Sequence, residues 1–246
     1  MSVVVAAVVV AAGRGRRLGR PEPKAFVPVG GRPMLAYSLA TLRAVDGVGE
    51  LVVVLPPGEE RDLARRYQDL LSAYAVSATV GGGEERWQSV AAGLAALGKA
   101  SDLVLIQDAA RPLVTAELAK AVIEKAAEVG AAIAAEPLAD TLKEVTEDML
   151  IGRTLDRGRY WRAQTPQVFR RGLITEAYVH AGRLRPTDDA QLVEALGAPV
   201  AIVVSSTPNL KVTTASDLLV AEQLLAERSA QVRRAGGTSE RIEQMR

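Results

Sequence analysis

The feature that most restricts this chain is an unbroken apolar run, Val3 to Val10, that ends directly in Ala11-Ala12-Gly13-Arg14-Gly15-Arg16-Arg17-Leu18. A strand with apolar residues at both parities must be covered on both faces, as an inner parallel strand of an α/β sheet is. A glycine loop immediately after it falls where such sheets gather ligand groups. The run does not read as a leader core: no Lys or Arg precedes it, it is too short to span a bilayer, and glycines and arginines stand where a cleavage site would. The expectation is a cytoplasmic protein.

The same alternation continues along the chain. Glu50 to Leu55, Ser77 to Val80, Leu103 to Ile106 and Ala131 to Ala135 are short, apolar or β-branched, and each leads into a helical pattern. Met34 to Leu42 begins after Pro33 at a first helical position, Glu59 to Ala75 is amphipathic, and Ala116 to Glu128 follows the cap residue Thr115. These segments predict an α/β fold: a Rossmann-like, mostly parallel sheet with helices on both faces. After Pro137, Asp140 to Val145 and Ile151 to Leu155 alternate around the polar Thr146-Glu147-Asp148, which predicts a β-arm over 138–158 inserted into a single domain of 1–229. Helical texture returns from Arg170 to Gly182, and Val200 to Ser205 supplies a further strand. A last helix runs from Ala215 to about Ser229, with Thr214 and Asp217 spaced as a capping box that uses Asp for Glu. From Gln231 onward, charge and paired glycines predict a flexible tail over 230–246.

Composition removes several chemistries. The 246 residues contain no cysteine, so disulfides, thiolate zinc sites, iron–sulfur clusters and a cysteine nucleophile are excluded. A single histidine, His180, excludes a multi-histidine metal centre and reads as a surface or packing residue. Thirty basic against 29 acidic side chains leave no footprint for a nucleic acid, and no membrane segment is expected.

Three readings compete for the glycine loop. A dinucleotide fingerprint needs Gly or Ala where Leu18 stands, and Gly19, Pro21 and Pro23 interrupt the helix that should follow. An NTPase phosphate loop needs Gly-Lys-Ser/Thr, which is absent. What remains is a loop whose N–H groups approach phosphates, supplemented by Arg14, Arg16, Arg17, Arg20 and Lys24, five cations within eleven residues. A solvated loop or a polyanion patch is the bland alternative, and near neutrality argues against the second. A triphosphate fits better, because nucleotidyl transfer builds negative charge on the leaving pyrophosphate that an Arg fork and a Lys point charge stabilise.

Two further segments carry chemistry of their own. Asp108 ends a predicted parallel strand, where a carboxylate suits Mg2+ held against phosphates, although a helix cap or a partner for Arg111 is an equal reading. Gly81-Gly82-Gly83 can bring main-chain N–H and C=O groups to a cytosine edge, or can be a flexible turn. Tyr160 and Trp161 read as core or dimer packing rather than as a base-stacking platform.

The pattern Ala-Ala-Gly-x-Gly-x-Arg-Leu followed by Pro23-Lys24 resembles the signature of nucleoside-diphosphate-sugar pyrophosphorylases and related nucleotidyltransferases. Further motifs follow in order: Gly82-Gly83-Glu84-Glu85-Arg86-Trp87-Gln88-Ser89-Val90, Asp108-Ala109-Ala110-Arg111-Pro112, Asp140-Thr141-Leu142-Lys143, Thr165-Pro166-Gln167, Thr187-Asp188-Asp189-Ala190 and Asn209-Leu210-Lys211-Val212-Thr213. With these, the chain from about Val3 to Ser229 resembles the 2-C-methyl-D-erythritol 4-phosphate cytidylyltransferase family of the non-mevalonate isoprenoid pathway. Two departures stand out: Glu84 replaces a common Asp in a glycine run one residue longer, and Asp189 and Gln191 replace the commoner Glu and Ser.

The resemblance implies a Mg2+-dependent homodimer that joins CTP to the 4-phosphate of methylerythritol and releases pyrophosphate. It implies catalytic roles for Arg17, Lys24 and Lys211, and nucleotide contacts from Ala11, Ala12, Gly13, Gly15, Gly82, Gly83, Glu84 and Ser89. It assigns substrate contacts to Asp108, already read as a Mg2+ ligand from its strand-end position, and to Arg111, and a polyol phosphate site to Thr165, Thr187 and Lys211. Thr141 and Arg157 are implied to reach that site from the arm of the neighbouring subunit. The attacking phosphate is already ionised, so no general base is needed. A cytidylyltransferase for another polyol phosphate, such as ribitol 5-phosphate, is the nearest alternative. A non-catalytic nucleotide-binding regulator is another, against which the joint presence of Lys24, Asp108 and Lys211 argues.

Overall fold

The computed structural model describes residues 3–98, 101–182 and 184–243. The apolar run forms strand β1 (Val5–Val10), whose first five residues are at most 1% exposed because it has neighbouring strands on both edges and helices on both faces. A short hairpin, β2 (Pro28–Val29) and β3 (Arg32–Pro33), precedes α1 (Met34–Arg43) and β4 (Val48–Leu55). Next come α2 (Glu60–Arg66), α3 (Gln68–Ala73), β5 (Ala78–Gly81), α4 (Arg86–Ala96), β6 (Leu103–Asp108), α5 (Ala116–Val129) and β7 (Ala131–Pro137). The second half supplies β8 (Lys143–Val145), β9 (Ile151–Thr154), β10 (Trp161–Arg170), α6 (Arg171–Val179), α7 (Ala190–Ala195), β11 (Ala201–Val204) and α8 (Ala215–Glu243).

Seven strands form one sheet in the order β11-β7-β10-β6-β1-β4-β5. All neighbours pair in parallel except β10, which runs antiparallel to both β6 and β7. The fold is therefore the α/β, mostly parallel arrangement expected, with one strand that the sequence conceals. Residues 161–170 carry Arg162, Gln164, Thr165 and Gln167 around Pro166, and a proline removes a ladder donor from a central strand. The register shifts between Ala163 and Gln167, so Pro166 sits where the ladder is already broken.

Leu35, Leu39, Leu51, Leu105 and Val122 belong to the core on one face of the sheet, and Val8, Val54, Val90, Ile174 and Leu192 to the core on the other. Helix α4 lies so close to β1 and β4 that a Cβ at Gly93 would stand 2.4 Å from Val8 Cγ1 and 2.9 Å from Val54 Cγ2. The amphipathic segment expected as one helix is divided at Tyr67, whose ring stacks on Phe26 with centroids 4.1 Å apart.

Helix α8 begins as expected: Asp217 accepts from the N–H groups of Thr213 and Thr214, and Thr214 Oγ1 accepts from Asp217 N–H. Expected to end at about Ser229, it continues to Glu243, because Gln, Arg, Ala and Glu in that stretch favour helix and Gly236 and Gly237 only weaken it. The end of the expected tail, residues 244–246, lies outside the described residues.

Strands β8 and β9 form the predicted antiparallel hairpin and leave Val145, Leu150 and Ile151 exposed. At its base, register places Val204 of β11 beside Ala135 of β7, and Ala135 beside Ala163 of β10. Ile202, Val204 and Trp161 are likewise exposed there. Among the described residues, no helix is long and apolar enough to cross a membrane.

Candidate active site

A cleft of about 300 Å³ opens at the carboxyl ends of β1 and β6, bounded by Val10 to Gly13 on one strand end and Asp108 to Ala110 on the other. The chain proceeds from β1 outward through β4 to β5, then returns to place β6 on the opposite side of β1. Loops leaving such a reversal point diverge, which creates the crevice where open α/β sheets bind ligands.

The glycine loop folds back along this cleft. Gly13 C=O accepts from Lys24 N–H at 3.1 Å, and Gly15 adopts φ +64° where a Cβ would lie 2.8 Å from Lys24 Cβ. Gly15 is thus required both by its backbone conformation and by the close approach of Lys24. Ala11, Ala12, Gly13, Gly15, Arg17 and Lys24, each singled out in the sequence, all line the cleft. Arg14 instead pairs with Glu59 at 2.9 Å at the surface. Burial, together with the charges of Lys211 and Arg17, lowers the Lys24 ammonium to about 8, with Asp108 acting in the opposite sense.

The wall opposite is the loop between β5 and α4. Glu85 caps α4 reciprocally with Gln88, whose side-chain carbonyl accepts from Glu85 N–H at 2.9 Å. Gly83, Glu84 and Ser89 line the cleft, and Ser89 Oγ accepts from Gly83 N–H at 3.2 Å. Gly82 lies behind them, where a Cβ would come 2.6 Å from Ser89 Oγ and 2.8 Å from Ala12 Cβ. Its glycine identity therefore lets the two loops touch, and Gly83 presents the backbone.

The floor is a charged cluster around Asp108. Its Oδ2 accepts from Lys211 Nζ at 2.7 Å and its Oδ1 from Arg86 Nε at 3.0 Å. Burial alone would raise this carboxyl, but Arg86 and Lys211 hold it well below the usual carboxylate range. Arg86 Nη1 lies 2.8 Å from Asp189 Oδ2, an ion pair whose N–H direction falls outside a well-formed hydrogen bond. Thr165 Oγ1 accepts from Asp108 N–H at 3.0 Å, so this buried threonine braces the end of β6.

The remaining predicted residues stand elsewhere. Arg111 is buried and gives its guanidinium to the carbonyls of Asn209 at 2.6 Å and Ala163 at 3.4 Å, tying the Lys211 segment to β10. Thr187 lines a second, adjacent hollow with Trp87 and Arg185, whose guanidinium lies 5.3 Å from the Trp87 ring centroid. Thr141 and Arg157 are exposed on the arm, where Arg157 donates to Ala139 C=O, and neither lines the cleft of its own chain.

Sequence reasoning missed Arg86 and Asp189 as members of the cluster. Both stood inside motifs already noticed, yet no spacing rule marks a charged residue as buried before the sheet brings its partner near. Among the described residues, no group of three or more acidic or histidine side chains could hold a metal. A metal here would rest on Asp108 and on ligand oxygens, an arrangement suited to Mg2+, which keeps few protein ligands. Each Asp108 oxygen retains a lone pair beyond its present partner.

The sequence pattern of the family described as 2-C-methyl-D-erythritol 4-phosphate cytidylyltransferase matches residues 5–227. A protein of that name from Pelotomaculum thermopropionicum is 42% identical over 235 residues, spanning 95% of this chain and 99% of the relative. The crystal structure of 2-C-methyl-D-erythritol 4-phosphate cytidylyltransferase from Thermus thermophilus is 38% identical, with a TM-score of 0.72 over 91% of this chain and 98% of that one. The 4-diphosphocytidyl-2C-methyl-D-erythritol synthase structure from Anaerococcus prevotii is 31% identical, with a TM-score of 0.79 over 92% of this chain and all of that one.

Proposed function

We propose how this chain, which belongs to the 2-C-methyl-D-erythritol 4-phosphate cytidylyltransferase family, performs its reaction. It transfers the cytidylyl group of CTP to 2-C-methyl-D-erythritol 4-phosphate, the non-mevalonate isoprenoid step. A phosphate oxygen of the acceptor attacks the α-phosphorus, and the bond to the bridging oxygen breaks so that pyrophosphate leaves with both electrons. The observation that carries the residue assignment is the convergence of Arg17, Lys24, Lys211 and Asp108 on one cleft at the end of the glycine loop.

In this reading the triphosphate lies along Ala11 to Gly15, with Arg17 and Lys24 opposite the charge that grows on the leaving group. The backbone at Gly83, with Gly82, Glu84 and Ser89 behind and beside it, reads the base. Lys211 leaves Asp108 for the α-phosphate and the acceptor phosphate, while Asp108, Arg111, Thr165 and Thr187 serve the acceptor. Arg111 acts through the position it gives the Lys211 segment. Asp108 would hold a Mg2+ ion, which would supply charge neutralisation on the triphosphate when bound. The chemistry then rests on positioning and charge, because the nucleophile arrives ionised.

Thr141 and Arg157 act from a second copy in a two-fold homodimer. The exposed apolar side chains of the arm, with Ile202, Val204 and Trp161 at its base, support this, since an isolated hairpin is marginal in water. A biosynthetic reaction that consumes CTP fits a cytoplasmic site of action. Pyrophosphate release from CTP is the test, with 2-C-methyl-D-erythritol 4-phosphate, ribitol 5-phosphate or no acceptor. The first alone should sustain turnover. Preference for ribitol 5-phosphate would move the chain to the alternative substrate, and CTP binding without turnover would make it a regulator.

A further inference from the structure

The reaction as assigned uses the cleft face of Asp108 and leaves unexplained a second carboxylate buried behind it. Asp189 has no exposed surface and lies outside the cleft lining, yet its carboxylate accepts one hydrogen bond and makes one ion pair. Tyr178 Oη donates to Oδ1 at 2.6 Å, and Arg86 Nη1 pairs with Oδ2 at 2.8 Å. Its backbone is fixed as well: Gln167 Oε1 accepts from the N–H groups of Asp189 and Ala190, and Gln167 Nε2 donates to Asp188 Oδ2 at 2.9 Å. Burying an ionised carboxylate is costly, and an apolar residue of similar volume at this place would pack at no such cost.

We propose that Asp189, supported by Tyr178, is a positioning residue for nucleotidyl transfer: it orients Arg86, and Arg86 in turn orients the Asp108 carboxylate in the cleft. Arg86 is the first residue of α4 and carries a long flexible stem. An acid hydrogen-bonded at Nε and a second negative charge beside Nη1 hold the guanidinium between them, whereas one acid alone leaves it free to swing. Two carboxylates share this one guanidinium, so Asp108 keeps negative charge for Lys211 on its other oxygen. The chain Tyr178–Asp189–Arg86–Asp108–Lys211 thereby links α6 and α7 to a cleft that neither helix lines. This rests on the reading above that Asp108 faces substrate.

The test uses the full chain carrying Asp189→Asn and, separately, Tyr178→Phe, which keeps the ring and removes only the hydroxyl. Turnover, acceptor KM and directly measured CTP affinity are compared with wild type, together with an Asp108→Asn and Asp108→Asn/Asp189→Asn pair. Asp189→Asn should lower kcat over acceptor KM by roughly 10- to 100-fold, as loss of groups that orient a ligating side chain does, with CTP affinity within about twofold of wild type. Tyr178→Phe should change the same parameter in the same direction by less, and it carries the test if Asp189→Asn does not fold. Adding Asp189→Asn to Asp108→Asn should cost no further activity, because Asp189 acts only through Asp108. A merely structural carboxylate predicts otherwise. CTP affinity falling as much as turnover, wild-type kinetics in both single variants, or a double variant slower by the full Asp189→Asn factor would each overturn the proposal. If wild type turns over while Asp108→Asn is unimpaired, the reading of Asp108 fails first and the proposal with it.

Discussion

Lys211 Nζ lies 2.7 Å from Asp108 Oδ2 although 103 positions separate the two residues in the chain. The contact joins the carboxyl end of β6 to the segment leading into α8, across the cleft that both residues line. It keeps a cation beside the cleft and holds Asp108 ionised. The Asp108 carboxyl is depressed in the folded state, so its contribution to stability is present above the ordinary carboxylate range and is lost as pH falls through and below it. Asp108→Asn should therefore flatten the acid limb of a stability curve measured by denaturant unfolding, and an unchanged limb would show that the cluster contributes nothing there.

Lys24 gives an alkaline prediction. Its ammonium is lowered to about 8, so kcat/KM for CTP should fall as pH rises through that value, because the free enzyme loses the charge that meets the triphosphate. With CTP bound, the phosphates favour the charged form, and kcat should break at higher pH. Lys24→Arg, charged at every accessible pH, should lose the break in kcat/KM even if slower. The stability sign is opposite. The unfolded chain binds this proton more readily, so burial of Lys24 costs stability below about 8, and the cost is relieved between about 8 and 10.5. Lys24→Met should raise Tm at neutral pH, by on the order of 1–2 kcal/mol in stability, while abolishing turnover.

Base choice should follow from the loop at Gly83. A backbone reader places fixed N–H and C=O groups against the cytosine edge, and uracil presents an acceptor where cytosine presents a donor. CTP should exceed UTP in kcat/KM by at least roughly 100-fold, and purine nucleotides should be poorer still. Equal use of CTP and UTP would remove residues 82–84 from base recognition.

Gly93 has no role in the chemistry and a strict one in packing. A Cβ there meets Val8 and Val54 at 2.4 and 2.9 Å, so Gly93→Ala must push α4 off the sheet. A loss of roughly 1–3 kcal/mol is expected, read as a shift in urea midpoint. Because α4 carries Arg86 and Ser89, activity should fall at temperatures where the variant is still folded.

Complementation tests the shared site. Mixing Lys24→Ala subunits with Arg157→Ala subunits should restore one intact site per mixed dimer, because one site carries both lesions and the other neither. Mixed dimers without regained activity, or a fully active monomer in sedimentation, would mean that Arg157 acts in its own chain or not at all.

What the sequence determined by itself is what local rules govern. The apolar strands, the glycines before Lys24 and the caps at Thr115 and Thr214 follow from side-chain period, left-handed backbone and unpaired helix donors, each set within a few residues. The glycine loop and its cluster of cations were legible for the same reason, whereas Ser89 and the choice of Arg17 and Lys24 came from the family resemblance. Motif order supplied the remaining assignments, though not their geometry. Tertiary structure alone decided that β10, with its proline and buried glutamines, belongs in the middle of the sheet, because polar residues read as exposed until a register shift and long-range hydrogen bonds accommodate them. It alone paired Asp108 with Arg86 and Lys211, turned Arg111 toward two carbonyls, and hid Asp189 behind them. Those contacts join segments that only the reversal of strand order brings together, and a charge shows its partner only once the fold has excluded water from between them.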